Sequence, residues 1–99
     1  MEEKLLQIIN HYGVIPQLKY FQSEVFELNE VIIIREQEDG YSSYTDELKD
    51  HIAEEIADVM VMLEQFKLYY GITSEEITDI FWNKVDRQIE RIENELNKE

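Results

Sequence analysis

A chain of 99 residues supplies one small core, and its 23 acidic against 9 basic residues, a formal net charge of -14, repel phosphate backbones and argue against direct nucleic-acid binding. A hydrophobic share of 43% with 11% aromatics is enough to drive collapse, so the charge does not imply disorder. The absence of cysteine excludes a disulfide framework and a thiolate zinc site. The acidic start and a longest apolar run of only Val31 to Ile34 leave no signal or membrane segment, so a cytoplasmic protein is expected.

One domain spanning residues 1–99 is expected, all-α and bundle-like, with four helices. The first runs from about Glu2 to Tyr12 and stops at Gly13; Pro16 then opens a second that reaches roughly Gln37. Glu38 to Tyr44 reads as the one clear loop. The third helix starts at Thr45 or Asp46 and continues to about Tyr70, where Gly71 supplies the stop. Thr73 and Glu76 form a capping box for the fourth, which runs to the end and is expected to pack across the second and third. Val31 to Ile34 is β-branched, but it continues a helical stripe through Leu18, Phe21, Val25 and Leu28, and no second strand exists to pair with it. A chain this short buries little of its own surface, so a homodimer or homotetramer is expected.

The two long helices carry the feature that needs explaining. At 100° per residue, the second has an apolar arc of Leu18, Tyr20, Phe21, Val25, Leu28, Val31, Ile32 and Ile34, and Gln17, Glu24 and Glu27 fall inside it. The third has an arc of Leu48, Ile52, Ile56, Val59, Met62, Leu63, Phe66 and Tyr69, with Glu55 near its centre and Asp58 on its edge. An ionised carboxylate buried without positive charge costs several kcal/mol, and neither arc contains a Lys or Arg.

A divalent cation is the natural counter-charge. Residues three apart lie about 4.5 Å apart along the axis on one face, so two facing helices can offer four oxygen ligands. An all-oxygen set suits Mg²⁺, Mn²⁺ or Ca²⁺, Mg²⁺ being the ion that keeps waters and takes its remaining ligands from phosphates, with Mn²⁺ as substitute; the Glu-x-x-His pairs of di-iron bundles are missing. Glu54, on the shoulder beside Glu55, reads as a water-orienting group or an exposed helix-face residue; His51, one turn before Glu55, reads as a neighbour of the site or an ordinary histidine.

Glu24-Val25-Phe26-Glu27 followed by Glu55-Ile56-Ala57-Asp58 resembles the E-x-x-E and E-x-x-D motifs of the MazG-like all-α nucleotide pyrophosphohydrolases. Similar residues flank them in Gln17-Leu18, Leu28, Gly71-Ile72-Thr73 and Asn83-Lys84-Val85-Asp86-Arg87, so the resemblance covers about Gly13 to Arg91. It implies Mg²⁺-dependent hydrolysis of a nucleoside triphosphate to monophosphate and pyrophosphate. Glu24, Glu27, Glu55 and Asp58 then hold the metal as catalytic groups, with Gln17, Asn83, Lys84 and Arg87 at the substrate. Phosphoribosyl-ATP and dUTP pyrophosphohydrolases are variants of the same reading.

Ser23 stands where many members have a further glutamate, and no uracil-reading insertion is present, so base preference is not legible. Tyr12, Phe21, Tyr44 and Trp82 are candidates for stacking on a base, with core packing the expected job of Phe21 and Trp82. Lys84, Arg87 and Arg91 form the only basic stripe; a solvated face paired with Asp86, Glu90 and Glu95 is the alternative, weighing equally for Arg91 and less for Lys84 and Arg87. The reading from another class is a non-catalytic acidic helical protein that docks a basic partner or mimics nucleic acid.

Overall fold

The structure, a computed structural model, describes residues 2–37 and 45–98. Those residues form four helices and no strand: α1 (Glu2–Tyr12), α2 (Val14–Gln37), α3 (Asp46–Tyr69) and α4 (Ser74–Asn97). The expected loop at Glu38 to Tyr44, and with it Tyr44, lies outside the described residues.

Local chemistry sets each boundary. Gly13 alone joins α1 to α2: at φ 92 it closes α1 by donating its N–H to the Ile9 carbonyl at 2.8 Å, and its own carbonyl accepts from Gln17 at 3.2 Å. Helix α2 therefore begins at Val14, two residues before the expected Pro16. The proline falls in the first turn, where its missing N–H costs nothing. Thr45 caps α3 by accepting from the Leu48 N–H at 3.1 Å. At the other end Gly71, φ 70, donates to Leu68 and Ile72 donates to Lys67, the two bonds of a Schellman stop. Thr73 Oγ1 then accepts from the Glu76 N–H at 3.1 Å to start α4.

Helices α1, α2 and α3 pack together, with α2 and α3 antiparallel. Phe21 on α2 meets Phe66 on α3 edge-to-face, ring centroids 5.6 Å apart. The centre of this three-helix body is small and partly polar. Ile9 and Met62 are its fully buried apolar side chains among the described residues, beside buried Gln17, Glu24 and Gln65. The Gln17 amide donates to Gln65 Oε1 at 2.8 Å, and Gln65 donates to Met62 Sδ at 3.6 Å, which gives the two buried glutamines partners.

Helix α4 does not pack across α2 and α3 as expected; among the described residues it packs along none of the other three helices and touches α3 only at the corner, through Ser74. The caps Tyr70 and Thr73, with only Gly71 and Ile72 between them, fix its direction locally, and Lys67 Nζ donates to Ser74 Oγ at 2.9 Å across the corner. The result is an extended molecule with a radius of gyration of 17.5 Å, where a compact chain of this length has about 13 Å. Trp82, expected in a core, is exposed on this arm, edge-on to Phe81.

Candidate metal centre

The Gln17–Gln65 pair sets the register of α2 against α3. Counting seven residues forward from Gln17 gives Glu24, and counting seven back from Gln65 gives Asp58. In an antiparallel pair both lie two turns, about 10.5 Å, along the same groove. Glu55 follows one turn beyond Asp58. Each of Glu24, Glu55 and Asp58 accordingly presents a carboxylate oxygen within 4.8 Å of the other two.

The three environments differ. Glu24 is 5% exposed, Glu55 is half-buried and Asp58 is exposed at the rim. Glu24 Oε2 and Glu55 Oε2 are both buried without a hydrogen-bond partner. Two orphaned anionic oxygens beside a third carboxylate are costly unless a cation neutralises them, and hard oxygen ligands of this kind suit a divalent ion. The donor set therefore fits a metal ion, with Asp58 on the open side where further ligands can enter.

Two neighbours complete the acidic end. Tyr20, one turn before Glu24 on α2, hydrogen-bonds the Glu24 carboxylate. That bond, then the Glu24 charge, then burial and the charges of Asp58 and Glu27, raise its phenol above the ordinary 10.0, because ionising it would lose the bond and add an anion among anions. His51 Nε2 stands 3.5 Å from Glu55 Oε1 and is half exposed, so it touches the site from the solvent side.

Beside Asp58 the three helices enclose an open cavity of about 580 Å³, lined by Ile8, Tyr12, Pro16, Tyr20, Val61 and the buried Gln17–Gln65–Met62 group. It is mostly apolar and shares Asp58 and Tyr20 with the acidic end. A flat ring seated there lies next to the carboxylates.

Of the four carboxylates expected from sequence, Glu27 is outside the group of three. Three residues on from Glu24 carry it about 60° round the helix, which turns it to solvent in a shallow groove with Lys19, Gln22, Ser23, Phe26 and Glu30. Gln17, expected at the substrate, is buried and its amide is engaged by Gln65, so it holds the helices together while lining the cavity. Asn83, Lys84 and Arg87 are not brought to the carboxylates, because they ride on α4; Lys84, Arg87, Gln88 and Arg91 line a small groove of their own there. Glu54 is exposed beside Glu55, and the Ser23 hydroxyl bonds back to the Lys19 carbonyl, away from the site.

Tyr20, Gln65 and Met62 are the participants that sequence reasoning missed. Tyr20 sits one turn before Glu24, a spacing that could have flagged it; Gln65 looks like any polar residue until its partner on α2 is known. No family model, no curated protein and no solved structure matches this chain. No helix among the described residues is long and apolar enough to cross a membrane.

Proposed function

We propose that this chain is a magnesium-dependent nucleotide pyrophosphohydrolase, converting a nucleoside triphosphate and water to the monophosphate and pyrophosphate. The observation that carries the reading is the meeting of Glu24 with Glu55 and Asp58, two of the oxygens buried and unpartnered, at the edge of an apolar cavity of the right size for a nucleoside. The motif resemblance, E-x-x-E with E-x-x-D on facing helices, points the same way. Charge supports it too: a chain at -14 meets an anionic substrate best through a divalent cation.

Glu24, Glu55 and Asp58 would hold the ion. When bound, it supplies charge neutralisation on the phosphate oxygens and a polarised water. Tyr20 holds the Glu24 carboxylate in place through its hydroxyl, and His51 does the same for Glu55 from the solvent side. Asp58, on the open rim, faces incoming phosphate. The cavity takes the base and sugar, with Tyr12 and Tyr20 as its aromatic walls, and excludes water from that side of the substrate. In the overall reaction the α–β anhydride bond breaks, the bridging oxygen leaves with pyrophosphate, and water oxygen stays on the monophosphate. Asn83, Lys84 and Arg87 stand apart in the single chain, and the reading does not depend on them.

The test is pyrophosphate release from a panel of canonical and modified nucleoside triphosphates with Mg²⁺ or Mn²⁺, comparing wild type with Glu55→Ala. Release that needs the cation and disappears in the variant supports the reading. No release from any substrate, together with a melting temperature indifferent to Mg²⁺, overturns it and leaves an acidic helical binding protein as the better account.

A further inference from the structure

The cavity beside Asp58 has one deeply set polar group with a free end. Gln17 is 7% exposed, and its side-chain nitrogen points into the body, 2.8 Å from Gln65 Oε1 and 4.0 Å from Met62 Sδ, so both amide hydrogens are engaged. Its Oε1 accepts from no group among the described residues and is not sealed from solvent. That oxygen therefore opens on the cavity that Gln17 lines.

A glutamine amide can ordinarily turn over and offer either end to a ligand. This one is locked by a relay. A thioether sulfur has no proton to give, so Met62 fixes which end of Gln65 faces it, the nitrogen, at 3.6 Å. Gln65 Oε1 is then the group left for Gln17, and it requires the Gln17 nitrogen to face inward. Gln65 is only 1% exposed and acts on a ligand through Gln17, as a positioning residue.

The other polar groups of the wall have the same sense. Tyr20 directs its proton to Glu24 and keeps only lone pairs for the cavity, and Asp58 is a carboxylate. Tyr12 is largely exposed and its hydroxyl rotates, so it serves donors and acceptors alike. The cavity thus offers acceptors and no fixed donor.

Resting on the nucleotide reading of this cavity, we infer that Gln17 selects the base: the site takes one whose edge carries an amino group, cytosine or adenine, in preference to its oxo counterpart, uracil or hypoxanthine. The members of each pair have the same size and the same ring, so the apolar wall does not separate them. An exocyclic amino group places a proton on the line to Gln17 Oε1. An oxo group places a second acceptor there and leaves two oxygens facing each other unpaired. Uracil and hypoxanthine keep a ring N–H, but turning it toward Gln17 sets the adjoining carbonyl against further acceptors or the apolar wall, where it finds no donor. A buried acceptor left unpaired in this way corresponds to a discrimination of about ten- to a hundredfold.

Calorimetric titration of the full chain in Mg²⁺ tests this, using triphosphates in which a methylene group replaces the α–β bridging oxygen so that binding is read without turnover. The cytidine analogue is compared with the uridine one, and the adenosine analogue with the inosine one. In at least one pair the amino member is expected to bind about tenfold tighter or more. Gln17→Leu should bring that ratio close to one. Gln65→Leu, which frees the Gln17 amide to turn, should lower it as well. A ratio is insensitive to a general loss of folded protein, and the double variant Gln17→Leu with Gln65→Leu replaces the single one if that folds poorly. Equal affinities in both pairs, tighter binding of the oxo members, or a preference that survives Gln17→Leu overturns the assignment and leaves the pyrophosphohydrolase reading in place. Failure of all four analogues to bind overturns both.

Discussion

Replacing Glu24 with glutamine separates a metal centre from an ordinary acidic groove. Glu24, Glu55 and Asp58 have oxygens within 4.8 Å of one another. At that separation and an effective dielectric near 20, two like charges repel by about 3 kcal/mol. The Glu24–Glu55 pair deserves most of that figure because both are at least partly buried, while the pairs with Asp58 are discounted for solvent screening at the rim. Glu24→Gln keeps the size and an acceptor for the Tyr20 hydroxyl but removes one charge. Without divalent ions, near neutral pH, the variant is expected to be more stable than wild type by about 2–3 kcal/mol, or roughly 10 °C in melting temperature for a chain of this size. With Mg²⁺ at a hundred times its dissociation constant, wild type should gain about 2.7 kcal/mol and the variant little or none. Thermal melts with and without the ion give both comparisons. A variant less stable than wild type in the absence of metal, together with a wild type indifferent to Mg²⁺ and Mn²⁺, would refute the reasoning.

Gln65→Leu leaves the buried Gln17 amide without its acceptor and is expected to cost about 1–3 kcal/mol in urea unfolding; adding Gln17→Leu should recover much of the loss, since no orphaned donor then remains. Gly71→Ala meets open space but must hold φ 70, so a loss of about 1 kcal/mol is expected from backbone strain alone. For Tyr20 the folded-state pKa is raised above the ordinary 10.0, so its hydrogen bond contributes stability that is fully present below that value and is lost as pH rises through the raised one. Tyr20→Phe should therefore be less stable than wild type at neutral pH, with the difference closing in strongly alkaline buffer; a difference independent of pH would assign it to packing.

The periodicity of apolar residues, the glycines at 13 and 71 and the threonines at 45 and 73 were enough to delimit four helices, because caps and helical stripes are local chemistry written in neighbouring residues. The same wheel singled out Glu24, Glu55 and Asp58, since a carboxylate inside an apolar arc is anomalous wherever the helix later packs. What neighbouring residues do not record is how one helix lies on another. The Gln17–Gln65 bond, formed between residues 48 apart, sets the register that joins the three carboxylates and turns Glu27 out to solvent. The direction of α4 was likewise not legible: its apolar stripe announces that it packs, but two helix caps with only Gly71 and Ile72 between them decide that it does not pack on its own body. Helix formation depends on contacts three and four residues away, whereas register and docking depend on long-range pairs that exist only once the chain has folded.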